Sequence, residues 1–506
     1  MTDRRHGYDV SVGYAANFLR EIAPDWLRFC IRAHGFEPPQ TGPDYRYLDL
    51  GCGPGFHICL LAAANPGAEF VGVDFQSDHI AQCEALAAAA GLTNVRFVQA
   101  DFLELAAAWP AELGAFDYIG VYGILSWVSA ELRAAVFQCV AHASKPGTVA
   151  AFGYNSQPGW LKGVAFQHVA NEFSRDRAAD ASLEGAIKMF WRLTHAKAPV
   201  SELISAFKPQ LEVLATQPTS YLAHEFLTDN WTPLWHSTVA RELQGAGFTF
   251  VGSATVAEAL LPDSLQPELR AFVLEQPDET LRQDVQDIVI NQQFRRDMFC
   301  REPGKATGSD LDGTALIHLF SPPQQGAPVR FKSAFGELVV DYAMVADIVA
   351  ALADGPKTVD ELMALTSPVP RHTRSMLLSM IEAHILAIGT STPGSAEITE
   401  RFNAAVARAV ANGTAYQNTA AAVLGSGTPA GELDLLLLDA WLSDDGGRDE
   451  EALAQGLVER LTKLGRELKF QGAALGEEQL RGQARSIARL FIDQVVPRWR
   501  KLGVLQ

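Results

Sequence analysis

The sequence lacks the features of membrane, secreted and nucleic-acid-binding proteins. None of its apolar runs approaches the roughly 20 residues of a transmembrane helix, and its first ten residues contain no apolar signal-peptide core. Its six cysteines form no Cys-x-x-Cys pair, which argues against a zinc site and a disulfide framework. Basic residues are also few, and the net charge of -18 would repel nucleic acid and anionic lipid. We therefore expect a soluble, cytoplasmic protein with no nucleic-acid partner and no membrane insertion.

A glycine turn near the N-terminus indicates a ligand site. The stretch YLDLGCGPGF, residues 47–56, resembles a buried strand that runs into Gly51, Gly53 and Gly55 and then a helix, a geometry that lets a ligand approach the backbone closely. A dinucleotide site requires Gly-x-Gly-x-x-Gly, but a phenylalanine replaces the last glycine here. Asp49 would also repel a pyrophosphate, whereas it suits a ligand with an ammonium and a sulfonium. The turn therefore favours S-adenosylmethionine over a dinucleotide.

Two further predicted strands also end in carboxylates. The strand AEFVGVDF places Asp74 where it can accept hydrogen bonds from both ribose hydroxyls. The strand VRFVQADF ends at Asp101, which can accept from the adenine amino group while the Phe102 amide meets the ring. Strands at 116–121 and 148–154 then complete an alternation with helices that is typical of a doubly wound α/β sheet. Because ligands bind at the carboxyl ends of such strands, we expect these residues to surround one cofactor.

The ordered motifs LDLGCGPG, VGVDF, QADF and FDYIGVYGILSWV resemble those of class I S-adenosylmethionine-dependent methyltransferases. The resemblance implies a Rossmann-like sheet with S-adenosylmethionine as cofactor. In this reading Gly51, Cys52 and Gly53 wrap the methionine portion, Asp49 holds its amino group and Phe75 packs on the adenine. The full set of implied cofactor-binding residues is Asp49, Gly51, Cys52, Gly53, Asp74, Phe75, Asp101, Phe102 and Tyr122.

A narrower resemblance extends over most of the chain. The segments YGILSWV (122–128), YNSQPGW (154–160) and YLAHEFLTDNWTPLW (221–235) are similar to motifs of bacterial methyltransferases with a regulatory region. That group includes rickettsial protein-lysine methyltransferases that modify outer-membrane protein B. The likeness continues in AAAVLGSG (420–427) and in the C-terminal VVPRWRKLGVL. It implies a protein substrate with lysine as the methyl acceptor.

The chemistry of methyl transfer predicts where the acceptor enters. Displacement at a sulfonium needs aligned reactants and a neutral nucleophile, so a lysine ammonium must first lose its proton. An apolar, aromatic pocket lowers the amine pKa, and aromatic faces also attract the cation. The predicted acceptor-binding residues are Tyr122, Trp127, Tyr154, Asn155, Trp160, His224 and Glu225. Of these, Tyr122, Trp127 and Asn155 would position the acceptor, although loop packing and a local turn explain Trp127, Trp160 and Asn155 equally well.

Two motifs that suggest other chemistry are incomplete. The sequence HEFLT (224–228) begins like a zinc-protease motif, but Thr228 stands where the second histidine is required. The glycine-rich VLGSGTPAG has no following lysine and therefore predicts a linker rather than a phosphate loop. We accordingly predict no metal.

Breaks in composition predict the domain organisation. The expected segments are an N-terminal helical lid at 1–45, a methyltransferase core at 46–160 and 221–258, a helical insertion at 161–220, a helical linker region at 259–309, a winged-helix-like domain at 310–395 and a helical C-terminal domain at 396–506. The insertion is a candidate homodimer contact. Because the winged-helix-like segment is not basic, we expect it to contact protein rather than DNA.

Two other functions stay open on the sequence alone. The chain could be a small-molecule methyltransferase or a non-catalytic S-adenosylmethionine-binding regulator. The intact cofactor motifs and the aromatic acceptor loop favour an enzyme over a regulator. The large appended region, about half of the chain, favours a macromolecular acceptor.

Overall fold

A seven-stranded sheet forms the centre of the computed structural model. Its strands, in chain order, are Arg46–Leu50, Glu69–Asp74, Val95–Gln99, Phe116–Tyr122, Ser144–Asn155, Phe248–Ser253 and Phe294–Arg301. Across the sheet they lie in the order third, second, first, fourth, fifth, seventh, sixth, and the first five are parallel. The expected doubly wound α/β class is therefore confirmed.

The structure describes most of the chain, with gaps. The described residues are 4–5, 8–9, 16–39, 42–202, 207–209, 212, 216–217, 219–307, 311–333, 335–365, 370–443, 447–470, 473–474 and 477–506. Within these ranges, none of the helices is long and apolar enough to cross a bilayer.

Helices cover both faces of the sheet, so its central strands are buried on both sides. Leu48 and Leu50 belong to one apolar cluster, whereas the alternate Tyr47 belongs to a second cluster on the opposite face. The covering helices are Pro24–Ala33, Phe56–Ala64, Ser77–Ala89, Phe102–Ala107, Ala130–His142 and His236–Gly245. This double burial leaves the carboxyl ends of the strands as the accessible edge.

The sheet extends beyond the predicted methyltransferase core, because its last strand lies inside the predicted linker region. The predicted returning strand is present at Phe248–Ser253, but its neighbour in the sheet is Phe294–Arg301 rather than the fifth strand. Phe294–Arg301 inserts between the two and pairs antiparallel with both. The predicted helical linker 259–309 therefore contains a core strand, and it is α-helical only at Pro267–Leu274 and Glu279–Ile290. The charged residues of FRRDMFCR hid its strand character.

A buried ion network explains how this charged strand fits a central position. Arg295 donates from Nε to Asp297 Oδ1 at 2.8 Å and from a terminal nitrogen to Asp287 at 2.6 Å. Asp297 also bonds His236 Nδ1 at 2.8 Å and accepts from the Tyr154 hydroxyl at 2.5 Å. Although burial opposes it, Arg295 and then His236 lower the pKa of Asp297 to about 2. The network joins the fifth and seventh strands to two helices outside the sheet.

The described part of the N-terminal segment is less helical than predicted. Its α-helix there spans Pro24–Ala33, after a 3-10 turn at Arg20–Ile22 and a short antiparallel pair of strands, Arg4–Arg5 with Tyr8–Asp9. Ala16, Asn17 and Leu19 nevertheless line the cavity described below. The role of this segment as a lid stays a prediction.

The insertion is helical as predicted. It contains Val164–Phe173 and Ala179–His195, and Thr219–Phe226 leads the chain back toward the sheet. The three helices share an apolar cluster with Trp127 and Trp231. The insertion therefore packs against the loops that follow the fourth and fifth strands, and its role in dimer formation stays a prediction.

The C-terminal half combines small sheets with helices. Its strands are Leu316–Leu319, Val329–Ser333, Gly336–Val340, Lys357–Thr358, Leu386–Gly389, Asn418–Ala421, Ser426–Pro429, Lys469–Phe470 and Ala473–Ala474. Its helices are Ala346–Leu352, Val359–Leu365, Pro370–Glu382, Ala396–Val410, Glu432–Trp441, Glu450–Lys463, Glu477–Leu490 and Val496–Leu502. The described residues of 310–395 form three α-helices, a three-stranded sheet and a two-stranded sheet, and their winged-helix character stays a prediction. Tyr416 stacks on Phe56 at 4.3 Å, so this half supports the helix that follows the glycine turn.

Candidate functional site

The glycine turn has the backbone conformation that its sequence requires. Gly51, Gly53 and Gly55 all have positive φ, at 80°, 54° and 75°. A Cβ atom at Gly51 would overlap Ile124, and one at Gly55 would overlap Cys83. These positions therefore exclude larger residues both by conformation and by space. The turn exposes its backbone at the carboxyl end of the first strand.

Two adjoining cavities meet at this turn. The larger, about 430 Å³, is enclosed by the turn, the N-terminal segment, helix Thr219–Phe226 and the seventh strand. The smaller, about 100 Å³, lies at the carboxyl ends of the second and third strands. Both are lined by Gly51, Gly53, Tyr122, Gly123 and Trp127, so they form one continuous site.

All but one of the predicted site residues line this site. The smaller cavity is lined by Gly51, Gly53, Asp74, Phe75, Asp101, Phe102, Tyr122 and Trp127. The larger is lined by Asp49, Gly51, Cys52, Gly53, Tyr122, Trp127, Asn155, Trp160, His224 and Glu225. The exception is Tyr154.

Tyr154 does not lie with the other predicted acceptor-binding residues. Its side chain is fully buried, lines neither cavity and donates its hydroxyl to Asp297. Successive side chains of a strand point to opposite faces, so Tyr154 and its neighbour Asn155 face different layers. Tyr154 therefore belongs to the buried ion network rather than to the acceptor site.

Two carboxylates in the smaller cavity are held by backbone amides. Asp74 accepts from Gly53 N at 3.0 Å through Oδ2 and from Gln76 N at 2.9 Å through Oδ1. Asp101 caps the helix Phe102–Ala107 by accepting from Leu103 N at 2.9 Å. These bonds fix the direction of each carboxylate, and both residues line the cavity.

Asp49 is a buried carboxylate beside the glycine turn. Its side chain is 5% exposed, and no hydrogen bond from the described part of the chain reaches it. Burial, and then the nearby Asp74 carboxylate, raises the pKa of Asp49 to about 7. Because a buried charge is costly until it is paired, this position favours a ligand that carries a positive charge.

A second buried carboxylate lines the larger cavity. Glu225 is 7% exposed, and its Oε1 accepts from Asn155 Nδ2 at 2.7 Å and from Trp231 Nε1 at 3.2 Å. Trp127 Nε1 donates to the Glu225 backbone carbonyl at 3.3 Å. Burial raises the pKa of Glu225 to about 6, although the bonds from Asn155 and Trp231 oppose the rise.

Aromatic rings form much of the wall near Glu225. Trp160 lies edge-on to Trp231 with ring centres 5.6 Å apart and contacts Phe226 at 5.9 Å. Tyr122 packs against Phe294 at 5.3 Å. Packing and ligand contact are therefore compatible here, because Trp160 and Tyr122 are only half-buried and line the cavity.

Several lining residues were not predicted from the sequence. Phe294 and Arg296 belong to the strand Phe294–Arg301 and Gln293 directly precedes it, and these residues carry no recognisable motif. The Arg296 guanidinium is hydrogen-bonded to Tyr122, which helps to raise its pKa against the effect of burial. Tyr221 opens the segment YLAHEFLTDNWTPLW, so the same motif that indicated Glu225 could have indicated it.

Comparisons with known proteins agree with this geometry. Residues 42–212 match the family described as "Methyltransferase domain", and residues 218–301 match "Predicted methyltransferase regulatory domain". An uncharacterized protein of Synechocystis sp. is 28% identical over 519 residues, which cover 98% of this chain and 99% of that protein. An uncharacterized protein of Rickettsia prowazekii is 25% identical over 277 residues, or 53% of this chain and 47% of that protein.

A solved structure extends the likeness to the full length. PKMT2 from Rickettsia typhi in complex with AdoHcy has a TM-score of 0.70 and covers 97% of this chain and 99% of its own, at 18% sequence identity. That likeness shows a shared fold, including the appended C-terminal half. The two family matches confirm the expected methyltransferase domain and regulatory region. The chain therefore contains a methyltransferase domain joined to a methyltransferase regulatory domain.

Proposed function

We propose that this chain is a cytoplasmic S-adenosylmethionine-dependent methyltransferase that methylates lysine side chains of a protein substrate. The observation that carries the proposal is one cavity lined by two buried carboxylates, Asp49 beside the glycine turn and Glu225 among aromatic rings. The first suits the ammonium of the methyl donor, and the second suits an amine acceptor. S-adenosylmethionine would supply an electrophilic methyl group between them.

The residues at the strand ends divide the work of holding the donor. Asp74 would accept from the ribose hydroxyls and Asp101 from the adenine amino group, with Phe75 and Phe102 flanking the ring. Both carboxylates are already oriented by backbone amides, so little reorganisation would accompany binding. Asp49 would pair with the amino group of the methionine portion.

Three features support a lysine acceptor. The aromatic wall formed by Trp127, Trp160 and Tyr122 suits an alkyl stem that ends in a cation. The net charge of -18 attracts basic, lysine-rich proteins. The motifs shared with rickettsial protein-lysine methyltransferases point the same way. We further propose that segment 16–22 closes the site and that the insertion forms a homodimer contact through its exposed Leu161, Val164 and Met189.

Calorimetry followed by methyl transfer tests the proposal. We expect micromolar binding of S-adenosylmethionine and S-adenosylhomocysteine by the wild type and its loss in Asp74→Ala. We then expect labelled methyl to appear as methyllysine in poly-L-lysine but not in poly-L-arginine, the matched polycation. Absence of binding would overturn the cofactor assignment. Binding without transfer to poly-L-lysine would overturn the lysine proposal and favour a non-catalytic regulator.

A further inference from the structure

We propose that Glu225 is a catalytic base that removes the proton from the acceptor ammonium before methyl transfer. The inference rests on the proposed function, because it assigns a role within the same site. Its basis is the position of the carboxylate, which lines the same cavity as Asp49 and accepts its hydrogen bonds at one oxygen only.

The hydrogen bonds of Glu225 leave one oxygen available. Asn155 and Trp231 both donate to Oε1, at 2.7 and 3.2 Å. Among the described residues, no donor reaches Oε2. Because Glu225 lines the cavity, Oε2 is the atom that would meet an incoming ammonium.

The partners of Glu225 are themselves fixed. The Asn155 backbone amide donates to Ser126 Oγ at 2.9 Å, and its carbonyl accepts from Leu234 N at 2.8 Å. Trp127 anchors the Glu225 backbone carbonyl. The carboxylate is therefore held in place before the acceptor arrives, as a base within a rigid site should be.

The charges around the cavity favour transfer of the proton over a lasting ion pair. The titratable or charged groups that line it with Glu225 are Asp49, Cys52, His57, Tyr122, Tyr221, His224 and Arg296. Arg296 is the permanent cation of this set, and the donor sulfonium would add a second. A third cation on the acceptor nitrogen is thus disfavoured, and a dry cavity favours the neutral pair of amine and carboxylic acid over the ion pair.

The proposed step balances in atoms and charge. An N–H bond of the ammonium breaks and an O–H bond forms at Oε2, which leaves a lone pair on the amine nitrogen. This pair forms the bond to the methyl carbon while the carbon–sulfur bond breaks and its electrons stay on sulfur. The product is a methylated ammonium, and Glu225 then releases its proton to water.

The variant Glu225→Gln tests this role. Glutamine keeps one oxygen to accept the bonds from Asn155 and Trp231. It replaces Oε2 with an NH2 group, which cannot accept a proton. With poly-L-lysine as acceptor, we expect the wild-type kcat/KM to rise tenfold per pH unit up to about pH 6 and then level off. In Glu225→Gln we expect a loss of at least about 100-fold at pH 7 and a rise that continues to pH 9. The affinity for S-adenosylmethionine should stay within about twofold of the wild type.

A second variant separates a base from a structural residue. Trp231→Phe keeps the ring but removes one donor to Oε1, so the acidic limb of the wild-type profile should move up by about one pH unit. An unchanged rate or profile in Glu225→Gln would overturn the role of Glu225 while leaving the proposed function intact. A uniform fall in rate with no change in the pH profile would make Glu225 a positioning residue and would also overturn the inference. Failure of the wild type to methylate poly-L-lysine would overturn the proposed function and this inference with it.

Discussion

The variant Asp49→Asn should make the empty protein more stable and its cofactor complex weaker. The pKa of the Asp49 carboxyl is raised from 3.8 to about 7 in the folded protein. One pKa unit corresponds to about 1.4 kcal/mol, so keeping Asp49 ionised in the empty site costs up to about 4 kcal/mol. Because the folded pKa is raised, this cost is absent below about pH 4, grows as the pH rises and is complete above about pH 7.

Urea unfolding, which measures stability, and titration calorimetry, which measures ligand affinity, together test this expectation. At pH 8 without ligand, the free energy of unfolding of Asp49→Asn should exceed that of the wild type by up to about 4 kcal/mol, and the gain should shrink toward pH 4. The affinity for S-adenosylmethionine should fall by roughly 10- to 100-fold, equivalent to about 1.4–2.8 kcal/mol. Binding by the wild type should also weaken below about pH 7, as Asp49 becomes protonated.

Ligand and variant controls locate the effect. 5′-Methylthioadenosine lacks the amino-acid portion, so Asp49→Asn should bind it within about twofold of the wild type. The control variant Asp74→Asn should weaken both ligands, because the proposed function has Asp74, in the smaller cavity, accept from the ribose that both ligands share. Equal losses for the two ligands in Asp49→Asn, with no gain in stability, would refute the pairing of Asp49 with the donor ammonium.

Five further substitutions test other parts of the structure. Asp297→Asn removes one of the two carboxylates that pair with the buried Arg295, so it should lower the free energy of unfolding by about 3–5 kcal/mol, as measured in urea. Tyr154→Phe should lower the free energy of unfolding by about 1–2 kcal/mol and leave the KM for the acceptor unchanged. A raised KM would show that Tyr154 contacts the acceptor. Gly51→Ala should abolish binding of S-adenosylmethionine in calorimetry, because the added Cβ would overlap Ile124. Gly35 has the same φ of 80° but open space around it, so Gly35→Ala should only destabilise the fold. Retained binding in Gly51→Ala would show that the Ile124 side chain can move away. Trp160→Ala should reduce methyl transfer to poly-L-lysine and leave the affinity for the donor unchanged, so a parallel loss of donor binding would contradict its placement at the acceptor end.

The cofactor half of the site could be predicted because its signals are local. The glycine turn and the residues at the strand ends each lie within a few residues of the strand that positions them. Asp74 and Asp101 could therefore be assigned from the order of strands alone, and both line the smaller cavity. The parallel sheet brings these separate segments to one edge.

The acceptor half depends on pairings that are distant in the sequence. Arg296 reaches the cavity because the strand Phe294–Arg301 pairs with the fifth strand. The charged composition of this strand does not predict a position in the core. Arg295 and Asp297 are tolerated there because His236 and Tyr154, far away in the chain, complete their hydrogen bonds. The alternation of side chains along a strand already places the adjacent Tyr154 and Asn155 on opposite faces, so only one of them could face the acceptor.

The insertion of strand Phe294–Arg301 means that the two family segments are not separable pieces. The fifth strand keeps an unpaired edge until the chain as far as Arg301 has left the ribosome, because this late strand supplies its partner. An exposed edge of seven paired residues is a template for association with other chains. A fragment that stops near residue 212 should therefore aggregate rather than behave as an unregulated enzyme.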